Sequence, residues 1–169
     1  GYSGDVFEKS LLQLNQFAND AEKVKCAINA VDRDYSKGAS TATQKALRYV
    51  YDTMLTEENG MRPDRLLIPR VVVLITDGLP DDLEEVKKYC RMLKTDKSVE
   101  IYVLLVGNAG AAASFRTKRV VSEPVEKHFF FLKDVSFVPS VVGEISQALC
   151  TKTIVLEPCC SEIAMDWVS

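Results

Sequence analysis

The sequence Val-Val-Val-Leu-Ile-Thr-Asp-Gly, at residues 71–78, carries the clearest structural signal in this chain of 169 residues. Residues 71–75 form a continuous apolar run of strand length, which predicts a strand buried on both faces. The run stops at Thr76, Asp77 and Gly78. Because ligands bind beyond the carboxyl ends of strands in parallel sheets, this polar ending predicts a candidate site beside the sheet core.

Helical and extended patterns alternate on both sides of this strand. A second buried strand is predicted at residues 99–106 and a third at residues 128–132. Between the first two strands, Asp81 followed by Glu84 predicts the start of a helix. This alternation predicts an α/β fold with a doubly wound, mostly parallel sheet and helices on both faces.

Four further helices complete the predicted pattern, one of them a short helix at about residues 112–121. Asn19 followed by Glu22 marks the start of the first helix, and Thr41 followed by Gln44 marks the start of the second. The closing helix is predicted at residues 138–149, where apolar side chains recur at helical spacing. The predicted elements therefore extend over most of the chain.

The composition excludes several classes of protein. Apolar residues make up 47% and charged residues 27%, which rules out wholesale disorder. The net charge of −3 favours neither a nucleic-acid partner nor a polybasic membrane-surface protein. The longest apolar runs are too short to span a bilayer. A soluble globular protein with one hydrophobic core is the class that remains.

Two polar segments are candidates for a metal site. A carboxylate such as Asp77, at the end of a buried strand, suits a hard divalent cation such as magnesium or calcium. The alternative is a turn carboxylate that accepts backbone N–H bonds. Thr41 and Thr43 offer hydroxyl oxygens at the start of a helix, but Thr41 with Gln44 also has the spacing of an ordinary capping box.

The sequence offers little material for catalysis. His128 is the only histidine, and its position at a strand start favours an edge or interface role. The chain has no nucleophile elbow and no phosphate-binding P-loop, and residues 107–110 lack the full dinucleotide-binding fingerprint. We therefore expect the chain not to be an enzyme.

The chain has five cysteines without zinc-site spacing, the last three of them crowded towards its end: Cys26, Cys90, Cys150, Cys159 and Cys160. All five are disulfide candidates, which suits an oxidising compartment. Alternatively, Cys26 and Cys90, on predicted helices, are small buried hydrophobic residues. The odd number leaves at least one sulfur free or paired outside the chain.

Taken together, the motifs resemble the von Willebrand factor type A domain, also called the integrin I-like domain. The matching segments are residues 38–50, 71–78, 103–108, 122–124 and 137–139. The resemblance covers about the first 150 residues. It is nearest to the extracellular-matrix members of the family, such as the matrilins and microfibrillar collagens.

The resemblance implies a metal-ion-dependent adhesion site (MIDAS) at the carboxyl ends of the strands. Thr41 and Asp77 fall on two of the family's ligand positions, and the implied cofactor is a divalent cation (Mg, Ca or Mn). The family's Asp-x-Ser-x-Ser motif has no counterpart in this sequence, so the site is incomplete in this chain.

The function implied is that of a secreted adhesion or matrix-assembly module. It would bind other extracellular-matrix proteins, such as collagen, through the divalent cation. The alternative is a structural A domain with a vestigial metal site that acts as a matrix scaffold. A neighbouring A domain of the same protein is a further partner that the resemblance implies.

The resemblance also implies a domain that is incomplete at its amino terminus. Residues 1–150 are expected to be a partial domain that lacks the family's first strand, first helix and most of its second strand. Residues 151–169 are expected to be a cysteine-containing linker and the start of a following A domain. Their last part, residues 163–168, is hypothesised to fill the slot of the missing strand. Cys150 is expected to pair upstream of Gly1, or with Cys159 or Cys160.

Overall fold

The computed structural model describes residues 11–17, 20–30, 42–63, 68–107 and 116–152, with residues 149–152 described by their backbone alone. The predicted strand signal near residue 6 and the hypothesised strand segment at residues 163–168 lie outside these residues. The chain divides into two compact units. We call Gly1–Pro63 with Leu79–Lys97 the helical unit, and Asp64–Gly78 with Ser98–Ser169 the sheet unit.

The first helix of the helical unit, α1, spans Ala21–Asn29. Its N-cap is Asp20, whose carboxylate accepts a hydrogen bond of 3.0 Å from the Lys23 backbone N–H. The predicted cap, Asn19, lies outside the described residues. No residue of α1 is buried, and Val24 and Ile28 on its apolar stripe are exposed. Helical spacing therefore predicted this helix without predicting its burial.

The second helix, α2, spans Thr43–Tyr49 and continues as a π-helical turn over Val50–Met54. It begins two residues later than the predicted start at Thr41. Its N-cap, Ala42, provides no side-chain hydrogen bond. Leu47 and Leu55, from the predicted apolar face, are buried. The capping box that Thr41 and Gln44 predicted lies partly outside the described residues.

The longest helix of this unit, α3, spans Leu83–Asp96. Its N-cap is Asp82 rather than the predicted Asp81: the Asp82 carboxylate accepts a hydrogen bond of 2.9 Å from the Glu85 N–H. Helical spacing places three buried side chains on one face, namely Val86, Cys90 and Leu93. This is the inward face that the sequence predicted.

The helices α2 and α3 are joined by polar and aromatic contacts at their carboxyl-terminal ends. The Tyr51 hydroxyl donates a hydrogen bond of 2.8 Å to Asp96. Its ring lies 6.3 Å from that of Tyr89, measured between centroids, and Lys97 lies over its face. Nearby, a glycine is required at Gly60, since its φ is +95° and a Cβ there would lie 2.7 Å from the Asn15 nitrogen.

The described strands of the sheet unit form a parallel sheet in the order β1-β2-β3. The strands are β1 (Arg70–Thr76), β2 (Val99–Val106) and β3 (Phe129–Leu132). The bounds of β2 are those predicted. A sheet of parallel strands with interspersed helices confirms the predicted α/β class.

The central strand, β2, carries most of the buried apolar side chains of the sheet. Ile101, Val103, Leu104 and Leu105 are fully buried, because β2 is paired on both sides. The prediction that residues 71–75 are buried on both faces was wrong. Val73 is 43% and Ile75 52% exposed, because β1 pairs with one described strand and alternate side chains of a strand point to opposite faces.

The remaining helices of the sheet unit are α4 (Val125–His128) and α5 (Val138–Lys152), with a 3₁₀ turn at Val135–Phe137 between β3 and α5. Val141 and Ile145 of α5 pack into a cluster with Tyr102, Leu104 and Leu132. The closing helix therefore covers one face of β2 and β3. Within the described ranges, none of the helices has the length and apolar character needed to cross a membrane.

Candidate metal-binding edge

The candidate site lies at the carboxyl edge of the sheet unit. Since the strands are parallel, the residues that follow them share one edge: Asp77 follows β1, Gly107 follows β2 and Lys133 follows β3. The pairing of Thr76 with Leu105 and of Val106 with Leu132 sets this alignment. The Gly107 N–H donates a hydrogen bond of 2.8 Å to the Leu132 carbonyl, which fastens the loops after β2 and β3 together.

The carboxylate of Asp77 is exposed at this edge. In the part of the chain that the structure describes, no hydrogen bond or ion pair engages it. The alternative interpretation from the sequence, a turn carboxylate that accepts backbone N–H bonds, has no support among these residues. Asp77 therefore presents two carboxylate oxygens to solvent, which are suited to a hard cation or to a positively charged partner group.

The hydroxyl of Thr76 stabilises the turn that carries Asp77. Thr76 is buried, and its hydroxyl donates to the Gly78 carbonyl (3.3 Å) and accepts from the Gly78 N–H (3.4 Å). Such local bonds are typical of threonine at a turn. The sequence indicated the Thr76-Asp77-Gly78 segment, but the bracing role of the threonine is visible only in the structure.

A second carboxylate at this edge, that of Asp134, is engaged by its own turn. It accepts hydrogen bonds from the Ser136 hydroxyl and from the Ser136 backbone N–H, the latter 2.8 Å long. These two bonds lower the pKa of Asp134 below the usual range for aspartate, the hydroxyl contributing most. Asp134 therefore caps the 3₁₀ turn, and both hydrogen bonds are accepted by its Oδ1 atom.

The chemistry of the edge fits a divalent cation in the type of donor but not in their number. Magnesium and calcium take six or more oxygen ligands, whereas Asp77 is one carboxylate. Across the described ranges, no group of three or more His, Cys, Asp or Glu side chains is arranged to hold a metal. Thr41 lies outside the described residues, so its place beside Asp77 stays a prediction.

Only two of the five disulfide candidates, Cys26 and Cys90, have side chains that the structure describes. Cys26 is exposed and Cys90 is buried, and neither forms a disulfide with a described cysteine. Cys90 is thus the small buried residue that one interpretation of the sequence expected. Cys159 and Cys160 lie outside the described residues, as does the side chain of Cys150, so the expected disulfide pairings stay predictions.

A polar cluster that the sequence did not predict lies away from this edge. His128 directly precedes β3, the outer strand of the described sheet, yet it is only 3% exposed. It belongs to α4 rather than to β3, which starts one residue later. Its neighbours are Glu100 and Tyr102 of β2. Both side chains occur in an otherwise apolar strand, and that is the one sequence signal that pointed to the cluster.

The geometry described so far is that of an α/β domain with an exposed acidic turn at the carboxyl edge of a parallel sheet. The family model of the von Willebrand factor type A domain matches residues 1–144, and the chain belongs to this family. The resemblance seen in the sequence is thereby confirmed.

Three relatives illustrate the type of family member. The chain is 31% identical to matrilin-3 of Gallus gallus over 72% of its length, and 27% identical to matrilin-1 of the same organism over 94%. It is 32% identical to the collagen alpha-4(VI) chain of Mus musculus over 69%. The matched regions cover 25%, 28% and 5% of these relatives, respectively. These are extracellular-matrix proteins, which confirms the extracellular-matrix type and the secreted localisation that the sequence predicted.

Proposed function

We propose that the chain is an interaction module of the extracellular matrix and that it binds other matrix proteins through a divalent cation at the carboxyl edge of the sheet. The observation that supports this most directly is the exposed Asp77 carboxylate, which the turn at Thr76 and Gly78 holds beyond the end of β1. Membership of the family and the matrilin and collagen relatives support the same function.

In this proposal Asp77 and Thr41 are cation ligands from the chain itself. The cation, Mg, Ca or Mn, supplies a positive centre that accepts an acidic group of the partner protein. Collagen is the first partner class that we propose, and a neighbouring A domain of the same protein is the second. The role is binding rather than catalysis, and none of the named side chains is assigned to a reaction.

A second function is favoured by the small number of donors at the edge. Asp77 is the one carboxylate following the described strands that no described group engages, and the described residues hold no arranged group of ligands. The edge therefore also fits a vestigial site. The chain would then act as a structural scaffold of the matrix, and Asp77 would contribute only to the charge of the surface. The two functions differ in whether binding of a partner requires a cation.

Calorimetric titration of the chain with Mg²⁺ and Mn²⁺ tests the proposal. We expect the native chain to bind the cation, and we expect Asp77→Asn to lower the affinity about tenfold or more. Loss of a residue that only supports a metal ligand already costs about tenfold, and Asp77 is proposed to be a ligand itself. Thr41→Ala is expected to weaken the same binding. The matched control is Glu57→Gln, which removes an exposed carboxylate of the helical unit.

Capture of collagen on a sensor surface, with and without a chelator, separates the two functions. Cation-dependent capture that Asp77→Asn abolishes and Glu57→Gln preserves supports the adhesion module. Capture that neither the chelator nor Asp77→Asn changes, together with no heat from the metal titration, overturns it and leaves the scaffold.

A further inference from the structure

The turn at residues 56–61 takes no part in the proposed adhesion site, because it belongs to the helical unit and the candidate edge belongs to the sheet unit. It contains the dipeptide Asn59-Gly60, which is typical of tight turns. The same dipeptide is chemically labile, because glycine has no Cβ to keep its backbone nitrogen away from the preceding side chain. Attack by that nitrogen deamidates asparagine without an enzyme. Asn59 is therefore a candidate site of spontaneous modification.

Deamidation at Asn59 would proceed in two steps that need only hydroxide and water. Hydroxide removes the hydrogen of the Gly60 N–H, and the Gly60 nitrogen forms a bond with Cγ of Asn59. The bond between Cγ and Nδ2 breaks, and the amide nitrogen takes a proton from water and leaves as ammonia. Water then opens the cyclic imide at either of its two carbonyls, which gives aspartate or isoaspartate. No oxidant, reductant or cofactor is required.

The native turn holds the leaving group of this reaction. Asn59 is half-buried, and its Nδ2 atom donates a hydrogen bond of 2.8 Å to the Thr53 carbonyl. The Thr56 hydroxyl donates to the same carbonyl over 3.1 Å and accepts from the Asn59 N–H over 3.3 Å. The side-chain amide is thus fixed in one orientation, and its bond to Thr53 must break before it can rotate.

The nucleophile of the reaction is held as well. The Gly60 N–H donates a hydrogen bond of 3.1 Å to the Glu57 carbonyl, so hydroxide must displace that carbonyl to remove the hydrogen. A second segment secures this part of the turn, because the Asn15 side-chain nitrogen donates to the Glu58 carbonyl over 2.9 Å. Both reacting groups are therefore engaged by backbone carbonyls of the helical unit.

We infer that Asn59 is a deamidation site that the native turn keeps closed, and that the reaction prevents the turn from closing again. The reaction starts only from molecules in which the hydrogen bonds of Nδ2 and of the Gly60 N–H are both open. In the product a carboxylate replaces the amide, and a carboxylate does not donate a hydrogen bond to the Thr53 carbonyl. Isoaspartate also lengthens the backbone before Gly60 by one methylene group. A transient opening thereby becomes permanent.

Peptide mass spectrometry of the chain after incubation at pH 8 tests whether the turn is closed. Deamidation changes the mass of the peptide that contains Asn59, since a hydroxyl group replaces an amino group. We expect the reaction to be at least about tenfold slower in the native chain than in the same chain in denaturant, because two hydrogen bonds must open first.

Thr56→Val and Thr53→Val form a matched pair of variants. Thr56→Val keeps the shape of the side chain but removes the hydroxyl that bonds to Asn59, and it is expected to accelerate the native reaction about threefold or more. Thr53→Val leaves in place the carbonyl that accepts from Nδ2, and it is expected to leave the rate unchanged. In denaturant all three chains are expected to react at the same rate.

Equal rates for the native chain in buffer and in denaturant would overturn the inference, as would a native rate that Thr56→Val does not change. Circular dichroism shows whether Thr56→Val keeps its helices, and the comparison of buffer with denaturant needs no variant.

Hydrogen exchange on the deamidated chain tests whether the turn stays open. We expect the Gly60 and Met61 amides, which donate to the Glu57 and Thr56 carbonyls, to exchange faster than in the unmodified chain. Unchanged exchange at both amides would contradict the permanent opening. Cation binding at Asp77 plays no part in these experiments, so their outcome is independent of the proposed adhesion function.

Discussion

The two cysteines whose side chains are described differ in burial. Cys90 lies on the inward face of α3, and burial raises the pKa of its thiol to about 12, although the nearby charge of Lys94 acts in the opposite direction. Cys26 is exposed on α1. Because the thiolate is the reactive form of cysteine, Cys90 stays protonated and unreactive at any physiological pH.

This difference predicts a selective labelling pattern. When the chain is treated with iodoacetamide at pH 8 after mild reduction, Cys26 is expected to be alkylated while Cys90 remains protected. Mass spectrometry of peptides from the treated chain measures both sites. The control is the same reaction in denaturant, where both sites are expected to react. Equal rates at the two sites in the native chain would show that Cys90 is not buried as described.

At the scale of single elements, the start of α3 depends on which of two adjacent aspartates caps it. Asp82 has extended backbone dihedrals, and its carboxylate accepts a hydrogen bond from the Glu85 N–H. Asp81 precedes the cap and is exposed. Since an N-cap side chain satisfies one of the unpaired N–H groups of a helix, only Asp82 contributes to its stability in this way.

The two aspartates thus provide a matched pair of substitutions. Asp82→Ala is expected to lower the free energy of unfolding by about 1 kcal/mol through loss of the cap. Asp81→Ala is expected to cost less than Asp82→Ala, because the Asp81 side chain does not cap the helix. Urea denaturation followed by circular dichroism measures both. A larger loss for Asp81→Ala would place the cap where the sequence alone predicted it.

At the scale of the whole molecule, the position of a strand in the sheet decides how much its side chains contribute. Ile101 of β2 is fully buried, whereas Ile75 of β1 is 52% exposed. The two residues have the same side chain and lie in neighbouring, hydrogen-bonded strands. Their difference in burial therefore isolates the effect of a central position from that of residue type.

Alanine substitutions at these two positions test that difference. Ile101→Ala is expected to cost about 2–5 kcal/mol, because it leaves a cavity in the core. Ile75→Ala is expected to cost about 1 kcal/mol or less, since half of its surface is already in contact with water. Chemical denaturation of the two variants gives both values. Equal costs would show that β1 is as well covered as β2 in solution.

The sequence predicted those features of the fold that depend on local patterns. The bounds of β2 and the buried face of α3 follow from a continuous apolar run and from helical spacing. The exposure of Ile75 was not predicted, because a continuous apolar run does not reveal how many strands lie beside it. The choice between Asp81 and Asp82 also failed, since both residues are good caps and one position separates them.

At the candidate site, too, local sequence patterns were informative and contacts between distant residues were not predicted. Asp77 was singled out because a carboxylate that directly follows a strand has a local signature in the sequence. Its role as a metal ligand stays a prediction. The proximity of His128 to Glu100 was not predicted, because Glu100 lies in β2 and His128 ends α4, far apart in the sequence. Only the register of the sheet brings them together.

The parallel register of the sheet also governs how the chain folds. Every residue of β1 pairs with a residue of β2 that lies beyond the whole of α3, as the pairing of Arg70 with Val99 shows. Each pair of strands can therefore form hydrogen bonds only after a long loop has closed. The entropy cost of closing that loop is offset only when the strands are aligned. The contact order of the sheet is high, so its assembly is expected to set the folding rate, and its strands stay exposed longest during refolding.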